Sequence, residues 1–133
     1  VESYATQFGR PPDFRVSYRL YSSEEGGRRT PPHQHTRWDF RYDDKAISTG
    51  IFMIWPEALL PNGALVPAGP IPAYGLANMF VLFPQSRALH RLHIRPGVRG
   101  YFMEGNRRVA VCEVVEVLGL LTNPVQPAPP QDH

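Results

Sequence analysis

His33 and His35 stand two apart in the string HQH, and along an extended strand that spacing turns both imidazoles to one face, as a pair of metal ligands would require. Zinc takes three or four protein ligands, however. His90 and His93, three apart, point to opposite faces of a strand, and Pro31-Pro32 beside the first pair mark a surface loop. No metal is expected. The acidic neighbours Glu24-Glu25 and Asp43-Asp44 lie next to turn residues, whereas a two-carboxylate hydrolase needs both acids facing one cleft at a controlled separation. Cys112 sits in the apolar run RRVAVCEVVEV, the setting of a buried strand thiol rather than an activated nucleophile. The chain contains no G-x-S-x-G elbow, no H-E-x-x-H and no G-x-x-x-x-G-K-[ST]. These residues predict no enzyme, no cofactor and no nucleotide binding; a hydrolase using His33, His35 and the nearby acids is the alternative.

Binding chemistry is better represented. Of the 14 cationic side chains 13 are arginine, with Lys45 the one lysine, and a planar guanidinium fork suits phosphate and carboxylate groups. The net charge of only +2 leaves a surface of mixed sign, which does not mark a nucleic-acid binder. Strand parity sets Arg15 and Arg19, Arg37 and Arg41, and Arg91 and Arg95 as outward pairs. Neighbouring strands would align them as a ridge, and the opposing reading is a solvated face with cross-strand ion pairs. The most distinctive string runs from Ser22 to Pro31, SSEEGGRRTP, where Gly26 and Gly27 permit positive φ and close approach of backbone N–H groups to a ligand or a packed neighbour.

The elements that must position these residues read as strands. Apolar residues recur with period two at Phe14, Val16, Tyr18 and Leu20 and at Trp38, Phe40 and Tyr42, and further strands are expected over 50–55, 76–83, 89–95, 98–104 and 108–118. Turn chemistry separates them at Gly26-Gly27, Asn62-Gly63, Pro96-Gly97 and Glu104-Gly105-Asn106. The stretch from Pro56 to Ala73, with Pro61, Pro67, Pro70 and Pro72 between them, reads as a long exposed insertion. Residues 1–13 and the proline-rich 122–133 read as tails unable to join a packed core, around one domain over 14–121. The chain of 133 residues holds no apolar run near the roughly 20 residues of a membrane helix and opens without the basic start and apolar middle of a secretory signal; with a single cysteine, a cytoplasmic location is expected.

From EEGGRRTP, followed by Arg37 and Phe40, through Gly97 to Ala110 (GVRGYFMEGNRRVA) and the closing VVEVLG, the sequence resembles the C-terminal β-barrel, the third domain, of the elongation factor Tu family. The resemblance covers about residues 14–121 and implies an all-β, closed six-stranded antiparallel barrel of the translation-factor type. In the parent protein that domain packs on other domains and helps hold the T stem of aminoacyl-tRNA. The matching positions are Gly26, Gly27, Arg28 and Thr30 in the first loop, Arg37 after it, and Glu104, Gly105 and Arg107 in the late hairpin. Arg29 stands where the family has histidine, Trp38-Asp39 replaces a Pro-Gln pair, Asn106 replaces the second glycine of the hairpin, and the P-G-D-N turn is missing. Asp39 places a carboxylate where a neutral amide stood, which opposes phosphate. The expected function is a non-enzymatic binding module for a protein partner, favoured slightly over structured, tRNA-like RNA. A competitor of elongation factor Tu in the translation system is the alternative.

Overall fold

A computed structural model describes residues 2–124 of the chain. Phe14, Val16 and Tyr18 alternate with Arg15, Ser17 and Arg19, so one face of β1 (Phe14–Leu20) is buried and the other carries charge. Five more strands follow: β2 (Asp39–Tyr42), β3 (Ile54–Leu59), β4 (Tyr74–Val81), β5 (Arg99–Glu104) and β6 (Arg107–Val117). All pair antiparallel in the order β2-β5-β6-β1-β4-β3. In β6, Val109 and Val115 are each skipped in the register with a neighbouring strand. Such bulges increase local twist and help curl the sheet around Phe14, Phe40, Met79, Phe102 and Val114.

The expected closed barrel is corrected to an open, strongly curled half-barrel. Its edge strands β2 and β3 share no ladder. The approach to closure is one isolated bridge between β2 and the segment just before β3, where Phe40 and Phe52 exchange N–H···O bonds of 2.8 Å each. Closure stops there because β2 is four residues long and the chain makes a turn at Asp44–Ser48 before reaching β3. Pro56, which has no N–H to give a further neighbour, suits β3 to an edge. Of the side chains expected inside, Phe14, Val16, Tyr18, Phe40, Phe102 and Val109 are buried, while Leu20 and Val111 are half-buried. The bulge at Val109 reverses the parity of β6, so Ala110, Cys112 and Val114 face inward instead of Val111.

Three further expectations fail. Residues 89–95 are not a strand; α2 (Arg87–His93) occupies the segment, entered through a 3-10 turn at Pro84–Ser86. Its inward face carries Arg87 and His90, with Ile94 buried just beyond, a helical spacing hidden because two of the three are polar. The stretch read as an exposed insertion begins inside β3, with Glu57, Ala58 and Leu59 buried, and Val66 packs on the core. Strand structure expected over 50–55 is confined to the Phe52 bridge and the start of β3.

The segment 1–13 also packs rather than trailing. Ser3 caps α1 (Tyr4–Phe8), whose end turns at Gly9 with φ 67°. Tyr4 and Phe8, one helical turn apart, cover Phe80, Leu82 and Trp55 on the outer face of β3 and β4. Of the C-terminal segment read as a tail, Asn123 is buried, and 125–133 lie outside the described residues.

Candidate functional site

The loop after β1 is shaped by its own residues. Ser22 and Glu25 form a capping box across a 3-10 turn: the Glu25 N–H donates to Ser22 Oγ at 3.2 Å and the Ser22 N–H to Glu25 Oε1 at 2.9 Å. Gly26 leaves the turn at φ 94°, a conformation glycine adopts without penalty. Gly27 is required for a different reason, since a Cβ there would run into the Tyr21 backbone carbonyl. Gly27→Ala is therefore expected to displace the loop from Tyr21, read as a loss of amide-exchange protection confined to residues 22–30; unchanged protection would contradict the close approach.

The late hairpin turns through Gly105 and Asn106, with Gly105 at φ 59°. Asn106 does not take a positive φ, so a side chain is accommodated at that position. Loop and hairpin meet around an open hollow of about 540 Å³ lined by Ser23, Gly26, Gly27, Arg28, Arg29, Thr30, Glu104 and Arg107. The contact that joins them is Glu104. Its Oε2 accepts from Arg28 Nη1 at 2.7 Å and from Trp38 Nε1 at 2.8 Å. Trp38 thus supplies a donor to the carboxylate that fixes the loop, and Arg28 is committed to the same oxygen. Arg29 and Arg107 are exposed and make no side-chain hydrogen bond or ion pair among the described residues.

Of the residues expected to form the site, Gly26, Gly27, Arg28, Thr30, Glu104 and Arg107 line one hollow, and Gly105 forms the turn beside it. Arg37 lies elsewhere, with its guanidinium 4.6 Å from the Trp55 ring centroid. Asp39, on the edge strand β2, does not line the hollow, and partial burial raises its pKa. No arginine ridge forms. Strands β1 and β2 are separated by β5 and β6; Arg15 meets Asn78 and Glu116, Arg19 pairs with Glu25, and Arg91 and Arg95 donate to backbone carbonyls.

The H-x-H segment is a turn rather than a strand, with the Thr36 N–H donating to the His33 carbonyl at 3.1 Å and His35 in the left-handed region at φ 69°. The two imidazoles do not act as a pair. His35 Nε2 contacts Glu57 Oε2 at 2.6 Å, the same oxygen accepts the Tyr4 N–H at 2.9 Å, and the Tyr4 ring stacks on the imidazole at 4.0 Å. This cluster fastens α1 to β3; sequence reasoning missed it because Glu57, 1% exposed, falls in the proline-rich stretch. Among the described residues no three His, Cys, Asp or Glu side chains gather as a metal site. Asp43 accepts the Tyr101 hydroxyl, Asp44 caps the Ala46 N–H, and burial pushes the Cys112 thiol far above its ordinary range.

A second polar chain had no sequence signal. The Tyr42 hydroxyl donates to His90 Nδ1 at 2.7 Å, which places the imidazole proton on Nε2 facing Ser86 Oγ at 3.1 Å, and Ser86 in turn donates to the Phe83 carbonyl. With its hydroxyl hydrogen directed at a carbonyl, Ser86 has no proton to give His90. No family model matches the chain, and comparison with curated proteins found none similar to it.

Proposed function

We propose that the chain is a non-enzymatic binding module, similar in its loop and hairpin to the third domain of elongation factor Tu, that engages a protein partner through the hollow between residues 26–30 and 104–107. The observation that carries this reading is the meeting of two distant sequence anchors around one open hollow, with Arg29 and Arg107 left unpaired at its rim. The arrangement is rigid at its base, through Glu104, Arg28 and Trp38, and charged at its mouth, as a recognition surface requires. A competitor of elongation factor Tu would use the same surface. A cytoplasmic location belongs to the same proposal.

Structured RNA is the second reading, favoured by the two unpaired guanidinium groups. Salt titration of labelled tRNA binding separates the two. Weak, salt-sensitive binding is expected. Arg107→Ala should reduce the slope of log affinity against log salt by about one, as for a single phosphate contact. Arg28→Ala should also weaken binding by freeing the loop from Glu104. Asp39→Asn should have no effect, because Asp39 does not line the hollow. Sub-micromolar affinity at physiological salt, tightened by Asp39→Asn, would replace the protein-partner reading with the RNA one.

A further inference from the structure

On the other side of the 22–30 loop lies a groove of about 520 Å³, a size at which clefts accept ligand side chains. Leu20, Tyr21, Pro31, Pro32 and Tyr74 are among the apolar residues that line it. Tyr74 is 75% exposed, the most exposed of the large apolar side chains among the described residues. It stands at the first position of β4, opposite Arg19 in the register with β1, so its placement is fixed by the sheet rather than by a loose loop. The groove and the charged hollow share Ser23, Arg28, Arg29 and Thr30, so one ligand crossing the loop can occupy both.

The charges around the two recesses are asymmetric. Glu25 is paired with Arg19 and Glu104 with Arg28. Among the described residues that leaves Glu24 on the groove side, Arg107 on the hollow side and Arg29 shared between them without an ion-pair partner. An occupant that complements this pattern is apolar where it enters the groove beside Glu24 and negative where it crosses to Arg29 and Arg107. We infer that the groove takes the apolar anchor of an extended acidic peptide segment from a protein partner, whose carboxylates cross the loop to Arg29 and Arg107. This rests on the reading of the loop and hairpin as a partner-binding site and adds the chemistry of what binds there. Backbone and apolar side chains of a peptide match a recess lined by tyrosine and proline, with the exposed Tyr74 as its aromatic contact.

The test is fluorescence anisotropy with the full chain and a labelled synthetic peptide in which a Leu-Pro-Trp anchor precedes a run of glutamates. Tyr74→Ser should weaken binding at least about tenfold, the loss of one aromatic anchor, and should leave the melting temperature unchanged because the side chain is mostly in solvent. Arg29→Ser with Arg107→Ser should weaken the same peptide and flatten its salt dependence. Replacing the anchor by Gly-Ser-Gly, or the glutamates by glutamines, should abolish the Tyr74 or the arginine effect respectively. Equal binding of the anchorless peptide, indifference to Tyr74→Ser, or no binding at millimolar peptide would overturn the inference. So would tighter binding of single-stranded RNA that responds to Tyr74→Ser, which would make the occupant a nucleic acid. Arginine dependence without Tyr74 dependence would remove the groove alone, whereas loss of both would remove the binding-site reading beneath it.

Discussion

Replacing Asp13 with alanine is expected to destabilise the fold by about 3–5 kcal/mol, the range observed when one partner of a buried ion pair is removed. The Asp13 carboxylate is 0% exposed and receives Arg87 Nη1 at 2.7 Å, Arg10 Nη1 at 3.0 Å, Asn123 Nδ2 at 2.8 Å and the Val81 N–H at 2.7 Å. Four separated parts of the chain meet there: the segment after α1, the end of β4, helix α2 and the turn after β6. Alanine would leave the Arg87 guanidinium, itself buried, without its counter-charge, although its bonds to the Leu120 and Val81 carbonyls remain. Small domains have about 5–15 kcal/mol in total, so the variant should lose a large share of its stability. Urea unfolding followed by the fluorescence of Trp38 and Trp55 measures the effect. Arg19→Gln, which breaks the exposed pair with Glu25, should barely move the midpoint. Equal shifts in the two variants would contradict the role assigned to Asp13.

Acidification should destabilise the protein through His90. Burial, reinforced by the nearby Arg87 guanidinium, lowers its pKa from 6.5 to about 4, and Asp13 offsets only part of this. The folded state therefore holds His90 neutral in a window where the unfolded chain binds the proton. Between pH 6.5 and 4 the unfolded state carries more protons, so stability rises with pH and falls as the pH is lowered through that window. Integrated over the whole shift the loss amounts to roughly 3 kcal/mol. His93, which faces Tyr42 from the same helix, adds a smaller contribution to the lowering. Comparing urea midpoints of wild type and His90→Gln at pH 7, 5.5 and 4.5 isolates the contribution, because the carboxylates common to both cancel. The wild type should lose ground relative to the variant as the pH falls. Parallel curves would mean that His90 is not held neutral.

The strands whose two faces differ most were the most legible. Phe14 to Tyr18 and Phe40 to Tyr42 alternate apolar with charged or polar residues, and period two locates β1 and β2 within a residue or two. Helix α2 escaped because hydrophobic periodicity cannot register a buried face made of Arg87 and His90, whose burial depends on Asp13 and Tyr42 far away in sequence. Helix α1 is only five residues, too short for a stripe, although Ser3 and Gly9 at its ends are a cap pair readable without any structure. Glu57 was hidden by Pro56 beside it: proline argues against a central strand and is tolerated at an edge, and β3 is an edge. The candidate site was legible in its parts, since paired glycines and a Glu-Gly-Asn-Arg turn carry local signals. That the two parts share Glu104 depends on Trp38 reaching across from before β2, a contact that no spacing encodes. Arg37 was misplaced for the same kind of reason, since an aromatic face at Trp55 holds it away from the hollow.

The most direct measurement of whether the loop and hairpin form a partner-binding site is comparative capture from a native extract. The full chain is immobilised alongside Arg29→Glu with Arg107→Glu, and retained protein and RNA are both quantified at physiological salt. Both substitutions lie on exposed side chains, so the fold should be unaffected. A defined protein species retained by the wild type and reduced at least about tenfold by the charge reversal, with RNA at the same background on both, is the predicted result. Identical retention by the two forms, or RNA as the only species that depends on Arg29 and Arg107, would contradict it.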